Sequence, residues 1–207
     1  MKIIAHRGND SIHRENSLNA IINCLNTQYI DGVEFDVRLT KDNKFIINHD
    51  PFYHEYFIRN TSSKKLQNKG LNTLEEVLDK IDSDKIILIE VKEEGKKIKK
   101  TAKYLYQVLC KYKLNIYLCS FNYEFIKFFH KKYKDIKCGL IIGSHINKDY
   151  IINDFNFNSI SFKYKGKIPT KETFYWTINS PKNIKKYENI ITDKAREIYE
   201  FMVEKKS

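Results

Sequence analysis

Two hydrophobic periodicities alternate along the chain, and this alternation constrains the fold more than any other feature. Short runs rich in β-branched and aromatic residues recur, most of them followed by a stretch with apolar positions at helical spacing. The strand-like runs are Lys2–Ala5, Val33–Val37, Ile86–Val91, Ile116–Cys119, Cys138–Ile142, Ser159–Phe162, Phe174–Ile178 and Ile190–Thr192. Ser17–Gln28 places Leu18, Ile21, Ile22 and Leu25 on one helical face behind Asn16 or Ser17 as a cap. Thr73-Leu74-Glu75-Glu76 opens a helix with a capping box. A lysine-rich amphipathic helix follows from about Lys96 to about Lys111, and another covers Tyr123–Lys132. Further helices are expected near Lys148 behind Asn147, after Ser180-Pro181, and from the cap Asp193 to about Lys205.

One further apolar run, Phe45–Asn48, leaves no room for a crossover helix after Val37. A parallel connection needs a dozen or more residues, so this run is the second arm of a hairpin. Setting it aside leaves eight strands in a chain of 207 residues. That count indicates an α/β fold, a compact (β/α)8 TIM barrel with a β-hairpin after its second strand, in a single domain over residues 1–207. A doubly wound open sheet is the alternative, since periodicity alone does not show closure.

Composition sets the outer limits. With 42% apolar residues, seven Gly and three Pro, the chain is neither disordered nor collagen-like. No apolar run approaches the ~20 residues of a membrane span. The opening Met1-Lys2-Ile3-Ile4-Ala5-His6 turns polar too early for a signal peptide, so a cytoplasmic location is expected. The net charge of +11 favours anionic partners, such as phosphate esters or an acidic lipid surface; nucleic-acid binding would rest on charge alone and is not expected. Cysteines at 24, 110, 119 and 138 have no C-x-x-C spacing and read as free buried thiols.

In a barrel, function belongs at the carboxyl ends of the strands, and polar residues collect there. His6 and Arg7 end the first strand, with Gly8 to let the backbone turn. Glu34 and Asp36 are two apart on the second strand and share a face; Glu90 and Lys92 do the same on the third. Inward carboxylates on neighbouring strands are costly unless a cation or proton neutralises them. With no cysteine nearby in sequence, the oxygens suit one hard divalent cation, Mg²⁺ or Ca²⁺. If Asp42-Asn43 is the hairpin's two-residue turn, His49 lies opposite Asp36 and enters the cluster facing His6. The two histidines then form an acid/base pair for phosphoryl chemistry, with Arg7 and Lys92 for phosphate oxygens. His13, His54, His130 and His145 fall in loop or helix-surface contexts, and Ser120 has no nucleophile elbow around it.

Ala5-His6-Arg7-Gly8, Glu15-Asn16-Ser17-Leu18, Gly32-Val33-Glu34-Phe35-Asp36-Val37 and His49-Asp50-Pro51 resemble the opening of the glycerophosphodiester phosphodiesterase family. Leu71–Leu78, Ile89-Glu90-Val91-Lys92, Ser120-Phe121, Trp176-Thr177-Ile178-Asn179 and Ile191-Thr192-Asp193 follow in the family's order. The resemblance implies a (β/α)8 barrel that hydrolyses glycerophosphodiesters to glycerol 3-phosphate and an alcohol. It implies Glu34, Asp36 and Glu90 as ligands of a divalent cation, and His6 and His49 as acid and base. Arg7 and Lys92 would hold phosphate, Glu15 would lie near the site as a hydrogen-bonding residue, and Trp176 would line the substrate cleft. Arg14 stands where the family usually has proline. Pro51–Gly70, with Phe52, Tyr53, Tyr56 and Phe57, is a shortened insertion and so a reduced lid. The same chemistry on lysophospholipids at a membrane (a lysophospholipase D activity) is the near alternative, and a catalytically lapsed phosphate-binding barrel the distant one.

Overall fold

The computed structural model describes residues 1–92, 97–147, 149–168, 171–182 and 184–205. In chain order the elements are β1 (Lys2–Ala5), α1 (Leu18–Leu25), β2 (Gly32–Leu39), β3 (Phe45–Ile47), β4 (Phe52–Tyr53), β5 (Tyr56–Phe57), α2 (Ser63–Gln67), α3 (Leu74–Leu78) and β6 (Ile86–Val91). They continue with α4 (Ile98–Leu109), β7 (Ile116–Ser120), α5 (Tyr123–Lys132), β8 (Lys137–Ile142), β9 (Phe157–Ser161), β10 (Glu172–Trp176), β11 (Asn189–Thr192) and α6 (Ala195–Glu204). Parallel pairing runs β1-β11-β10-β9-β8-β7-β6-β2, and β1 also pairs with β2. That last pairing closes the barrel and excludes the open sheet.

Closure divides the apolar residues into two sets. Alternate side chains point outward under the helices, where Phe35, Ile89, Leu118, Phe125 and Phe129 form part of one large core. The others point inward, where Ile4, Leu88, Tyr117, Phe157, Phe174 and Ile191 fill the barrel. A Cβ on Gly139 would stand 2.5 Å from the Phe157 ring, so glycine on β8 makes room for this large interior side chain. At the amino ends of the strands a polar plug closes the barrel. Lys2 Nζ donates to Glu172 at 2.5 Å, Tyr117 Oη donates to the other oxygen of Glu172 at 3.3 Å, and Lys137 Nζ donates to Tyr117 Oη at 2.8 Å. The interior therefore opens toward the carboxyl ends.

The hairpin forms, but one residue out of the expected register. Val37 lies opposite Ile47 and Leu39 opposite Phe45, which makes the connection one residue longer than Asp42-Asn43 alone. Asn43 takes a left-handed conformation, φ 62°, as the last residue of a three-residue loop, and Thr40 and Lys44 are bonded across it. Asn48, not His49, thus stands against Asp36 and donates its N–H to the Asp36 carbonyl at 3.1 Å.

Two expected helices do not form among the described residues. After β8, the Asn147 side chain accepts the Asp149 N–H at 3.0 Å, and Tyr150 stacks on Tyr123 of α5 at 4.0 Å. These anchors hold the segment against α5 with only a 3-10 turn at Ile152–Asp154; Lys148 lies outside the described residues. After β10, Ser180 caps only the N–H of Lys182, and a 3-10 turn at Ile184–Lys186 buries Ile184. The capping box of α3 and the span of α5 stand as read from sequence. Cys24, Cys119 and Cys138 are buried, but Cys110 is exposed at the end of α4.

Gly139→Ala should lower unfolding stability by about 1–3 kcal/mol, because the new methyl meets the Phe157 ring inside a closed barrel. Urea unfolding measures this, and an unchanged midpoint would show that Phe157 is free to move aside.

Candidate active site

At the carboxyl end of the barrel lies a cavity of about 230 Å³, whose lining includes His6, Arg7, Glu34, Asp36, His49, Glu90 and Lys92. Phe121 and Trp176 form an apolar side of the same cavity and meet edge to face, with ring centres 5.8 Å apart. All the sequence-predicted site residues except Glu15 therefore meet in one space.

The first strand reaches this space by a sharp turn. Arg7 and Gly8 have φ values of 53° and 61°, and a Cβ on Gly8 would press on Ile21 of α1 at 3.0–3.1 Å. The turn aims the Arg7 N–H at Glu34 Oε2, 2.9 Å away. The Arg7 guanidinium reaches Glu15 at 2.8 Å and stands 3.6 Å from Asp36. Glu15 is about half exposed and outside the cavity lining, so it orients Arg7.

The carboxylates gather because the strands bring them into register. Asp36 on β2 lies directly beside Glu90 on β6, and Glu34 sits two residues below Asp36 on the same face. One oxygen from each of the three falls within 4.8 Å of the others, the only such cluster among the described residues. Burial would raise the Asp36 carboxyl, but Lys92 at 3.0 Å and Asn16 Nδ2 at 2.8 Å hold it below the usual carboxylate range. Glu34 goes the other way. Burial, with repulsion from Asp36 added, pushes it up to about 8. Burial and Asp36 also raise Glu90, although Lys92 pairs with it.

A cation-binding reading fits these residues. Glu34 Oε1 is buried without a hydrogen-bond partner, and the three side chains offer only oxygen donors. Cys119, contrary to the expectation of no nearby cysteine, lines the same cavity. Burial and then Glu90 raise its thiol well above the ordinary value, so it is protonated at neutral pH, and a soft thiol suits a hard cation less well than the three carboxylates do.

His6 is held by a group that sequence reasoning assigned elsewhere. Its Nδ1 lies 2.6 Å from Asp193 Oδ1, while Asp193 Oδ2 accepts from Asn179 Nδ2 at 2.7 Å. Asp193 is therefore not the cap of α6; Lys194 occupies that position without a side-chain cap bond. Burial lowers the proton affinity of His6, but the Asp193 bond and the Glu34 charge more than offset this and raise it. Asp193 moves down correspondingly, chiefly through its bond to His6. The ring's Nε2 faces inward, 3.9 Å from Glu34.

His49 enters from past the hairpin. Its carbonyl accepts from Arg38 Nε at 2.7 Å, and its Nδ1 lies 2.8 Å from Asp50. Ser120 is structural, since its hydroxyl donates to the Val91 carbonyl at 2.7 Å. Sequence reasoning missed Asn16, whose buried amide both donates to the Asp36 side chain and accepts its N–H. The pairing of Glu15 with Asn16 in a loop after the first strand was the available signal. His13 and His145 are exposed as expected, whereas His130 is partly buried against Phe155.

Over residues 6–151 the chain matches the model of the glycerophosphoryl diester phosphodiesterase family. It is 26% identical over 233 residues to the glycerophosphodiester phosphodiesterase of Caldanaerobacter subterraneus subsp. tengcongensis, covering 92% of this chain and 93% of that one. A shorter match, 33% identical over 75 residues, is to mouse lysophospholipase D GDPD3, covering 36% of this chain and 20% of that protein. Among solved structures, an Oleispira antarctica phosphodiesterase in complex with its product sn-glycerol-3-phosphate superposes with a TM-score of 0.84. That pair is 20% identical and covers 98% of this chain and 97% of the other, which shows the shared barrel.

The raised Glu34 carboxyl has a stability consequence with a definite sign. A carboxyl that binds its proton more tightly when folded costs stability as pH rises from about 4.3, its unfolded value, toward about 8. In protein stripped of divalent cations, Glu34→Gln should melt above the wild type by about 5 °C or more at pH 8. At pH 4 and below, where the carboxyl is largely protonated in both folded and unfolded chains, the two proteins should melt nearly together. Coincident melting curves at pH 8 would show that Glu34 titrates normally.

Proposed function

The chain belongs to the glycerophosphoryl diester phosphodiesterase family, and from that membership we propose that it hydrolyses glycerophosphodiesters to glycerol 3-phosphate and an alcohol, with residues 1–207 acting as one barrel domain. The observation that carries this reading is the meeting of two histidines, three carboxylates and two phosphate-matching cations in one cavity. Glu34, Asp36 and Glu90 would hold one divalent cation, Mg²⁺ or Ca²⁺. When bound, it supplies positive charge against the phosphodiester and the more highly charged transition state.

The chain's own residues supply the remainder. Arg7 and Lys92 are placed to bind non-bridging phosphate oxygens. His6 and His49 act as acid and base. One takes the proton of the attacking hydroxyl, from water or from the substrate's own glycerol, and the other gives a proton to the departing alkoxide. Asp193 accepts the His6 Nδ1 proton, which leaves Nε2 to exchange protons inside the cavity. It acts through His6 and is a positioning residue. The Trp176 and Phe121 rings form the apolar wall beside the departing alcohol.

A second reading is favoured by the exposure of Phe52, three residues after the cavity-lining His49, and by the partial match to a lysophospholipase D. On this reading the glycerol carries an acyl chain. No helix of the described residues is long and apolar enough to cross a membrane.

Release of glycerol 3-phosphate from a panel of glycerophosphodiesters, with Mg²⁺, Ca²⁺ or a chelator present, tests the main reading. Turnover lost on chelation and restored by one cation is expected; no turnover on soluble or acylated diesters by folded protein would overturn it. His6→Ala and His49→Ala should each lower kcat by roughly 10²–10⁴ with the fold intact. Wild-type turnover by either variant removes that residue from the mechanism.

Asp193→Asn should lower kcat by about 10² or more with KM nearly unchanged. The limb of the pH–rate profile due to His6 should also move to lower pH, because its raised proton affinity is lost. A fall in kcat with an unmoved profile would assign Asp193 a purely structural part.

A further inference from the structure

Several exposed apolar side chains surround the mouth of the active site. Among the described residues nine large apolar side chains are exposed. Four of them, Ile12, Phe52, Phe121 and Phe162, lie close to the carboxyl ends of barrel strands: Ile12 between β1 and α1, Phe52 three residues after the cavity-lining His49, and Phe121 and Phe162 directly after β7 and β9. Ile12 is 77% exposed and Phe52 55%; one such residue alone would be ordinary, and it is their grouping around one mouth that marks a contact surface. Phe121 is at once a wall of the catalytic cavity and 51% exposed, so the apolar surface continues from the cavity to the rim. The Phe162 N–H is bonded to the Trp176 carbonyl at 3.1 Å, which sets Phe162 beside that same wall.

Cations are interleaved with these rings. Lys163 Nζ stands 5.7 Å from the centre of the Phe162 ring, Lys65 4.3 Å from Tyr56, and the Arg14 guanidinium 5.3 Å from Tyr53. The lid segment from Pro51 to Gly70 carries Arg59, Lys64, Lys65 and Lys69 against a single carboxylate, Glu55. Lys163, Lys165 and Lys167 lie between Phe162 and Ile168 with no acidic residue among them. Apolar and aromatic side chains flanked by lysine and arginine, on one exposed face, match the boundary of a bilayer with anionic headgroups. The cationic heads stand beside the rings, so charge and apolar surface are presented together.

We propose that the carboxyl-end face docks on an anionic lipid surface, with Ile12, Phe52 and Phe162 entering the headgroup region and the catalytic mouth opening onto the bilayer. This rests on the phosphodiesterase reading for its purpose and on the exposed ring for its evidence. It names the place where the substrate is met, a lipid–water interface.

Co-sedimentation with large unilamellar vesicles of phosphatidylcholine, with and without phosphatidylglycerol, tests the proposal. Wild type should bind the anionic vesicles and not the neutral ones. Phe52→Ser/Phe162→Ser should weaken that binding by about tenfold or more while leaving hydrolysis of water-soluble diesters unchanged. Lys163→Ala should weaken it by about fivefold. No binding to anionic vesicles overturns the proposal. So does equal binding by the double variant, which would assign the attraction to overall charge alone. A wild-type dimer in solution that the double variant abolishes, without vesicle binding, would instead make this face a contact between two copies of the chain. Turnover of soluble diesters is scored separately, so loss of docking and loss of the phosphodiesterase reading are distinguishable.

Discussion

Three carboxylates share one nearly dry space at the carboxyl end of the barrel, and the surrounding structure is organised around that constraint. Like charges at such distances cannot all remain ionised without neutralising partners. The partners are near at hand and come from the turns and loops that follow β1 and β6. Lys92 bridges Asp36 and Glu90, Asn16 bonds Asp36 twice, and the Arg7 N–H reaches Glu34. What stays unmet is Glu34, with one oxygen lacking any partner and its proton affinity raised. A site that leaves one carboxyl group unsatisfied in this way is prepared for an incoming positive charge.

The ends of the barrel divide the remaining work. At the amino end, Lys2, Glu172, Tyr117 and Lys137 satisfy one another and seal the interior. Between the ends lies a layer of Ile4, Leu88, Phe157 and Phe174 that excludes water from below. The charged cluster therefore has one open side only. Lower dielectric around it strengthens each interaction and makes each unpaired group more costly. The same burial that raises Glu34 also keeps the Cys119 thiol neutral and inert.

Much of this was legible in the sequence because it depends on local periodicity. Glu34 and Asp36 share a face because strands repeat every two residues, and Glu90 and Lys92 do so for the same reason. What local pattern could not convey was register and distant pairing. The hairpin came out one residue from its expected pairing because a left-handed Asn43 completes a longer loop. His49 still lines the cavity, since it lies beyond the paired arm and its carbonyl is held by Arg38. The helices expected after β8 and β10 were replaced by turns where aromatic stacking and side-chain bonds to the backbone outweighed helical spacing. Asp193 carried an ordinary capping signal, and only closure of the barrel shows that its carboxylate is committed to His6.

That closure bears on the order in which the protein can become competent. His6, His49, Glu34, Asp36, Glu90 and Lys92 all belong to the first 92 residues, whereas Asp193, whose carboxylate aims His6, lies 187 positions beyond His6. It arrives with β11, the strand that pairs with β1 and joins the two ends of the sequence. During synthesis, the acidic cluster and both histidines leave the ribosome long before this partner does. A growing chain can therefore carry every proposed metal ligand and still lack an aligned proton carrier. Maturation of the catalytic machinery is tied to completion of the barrel wall itself.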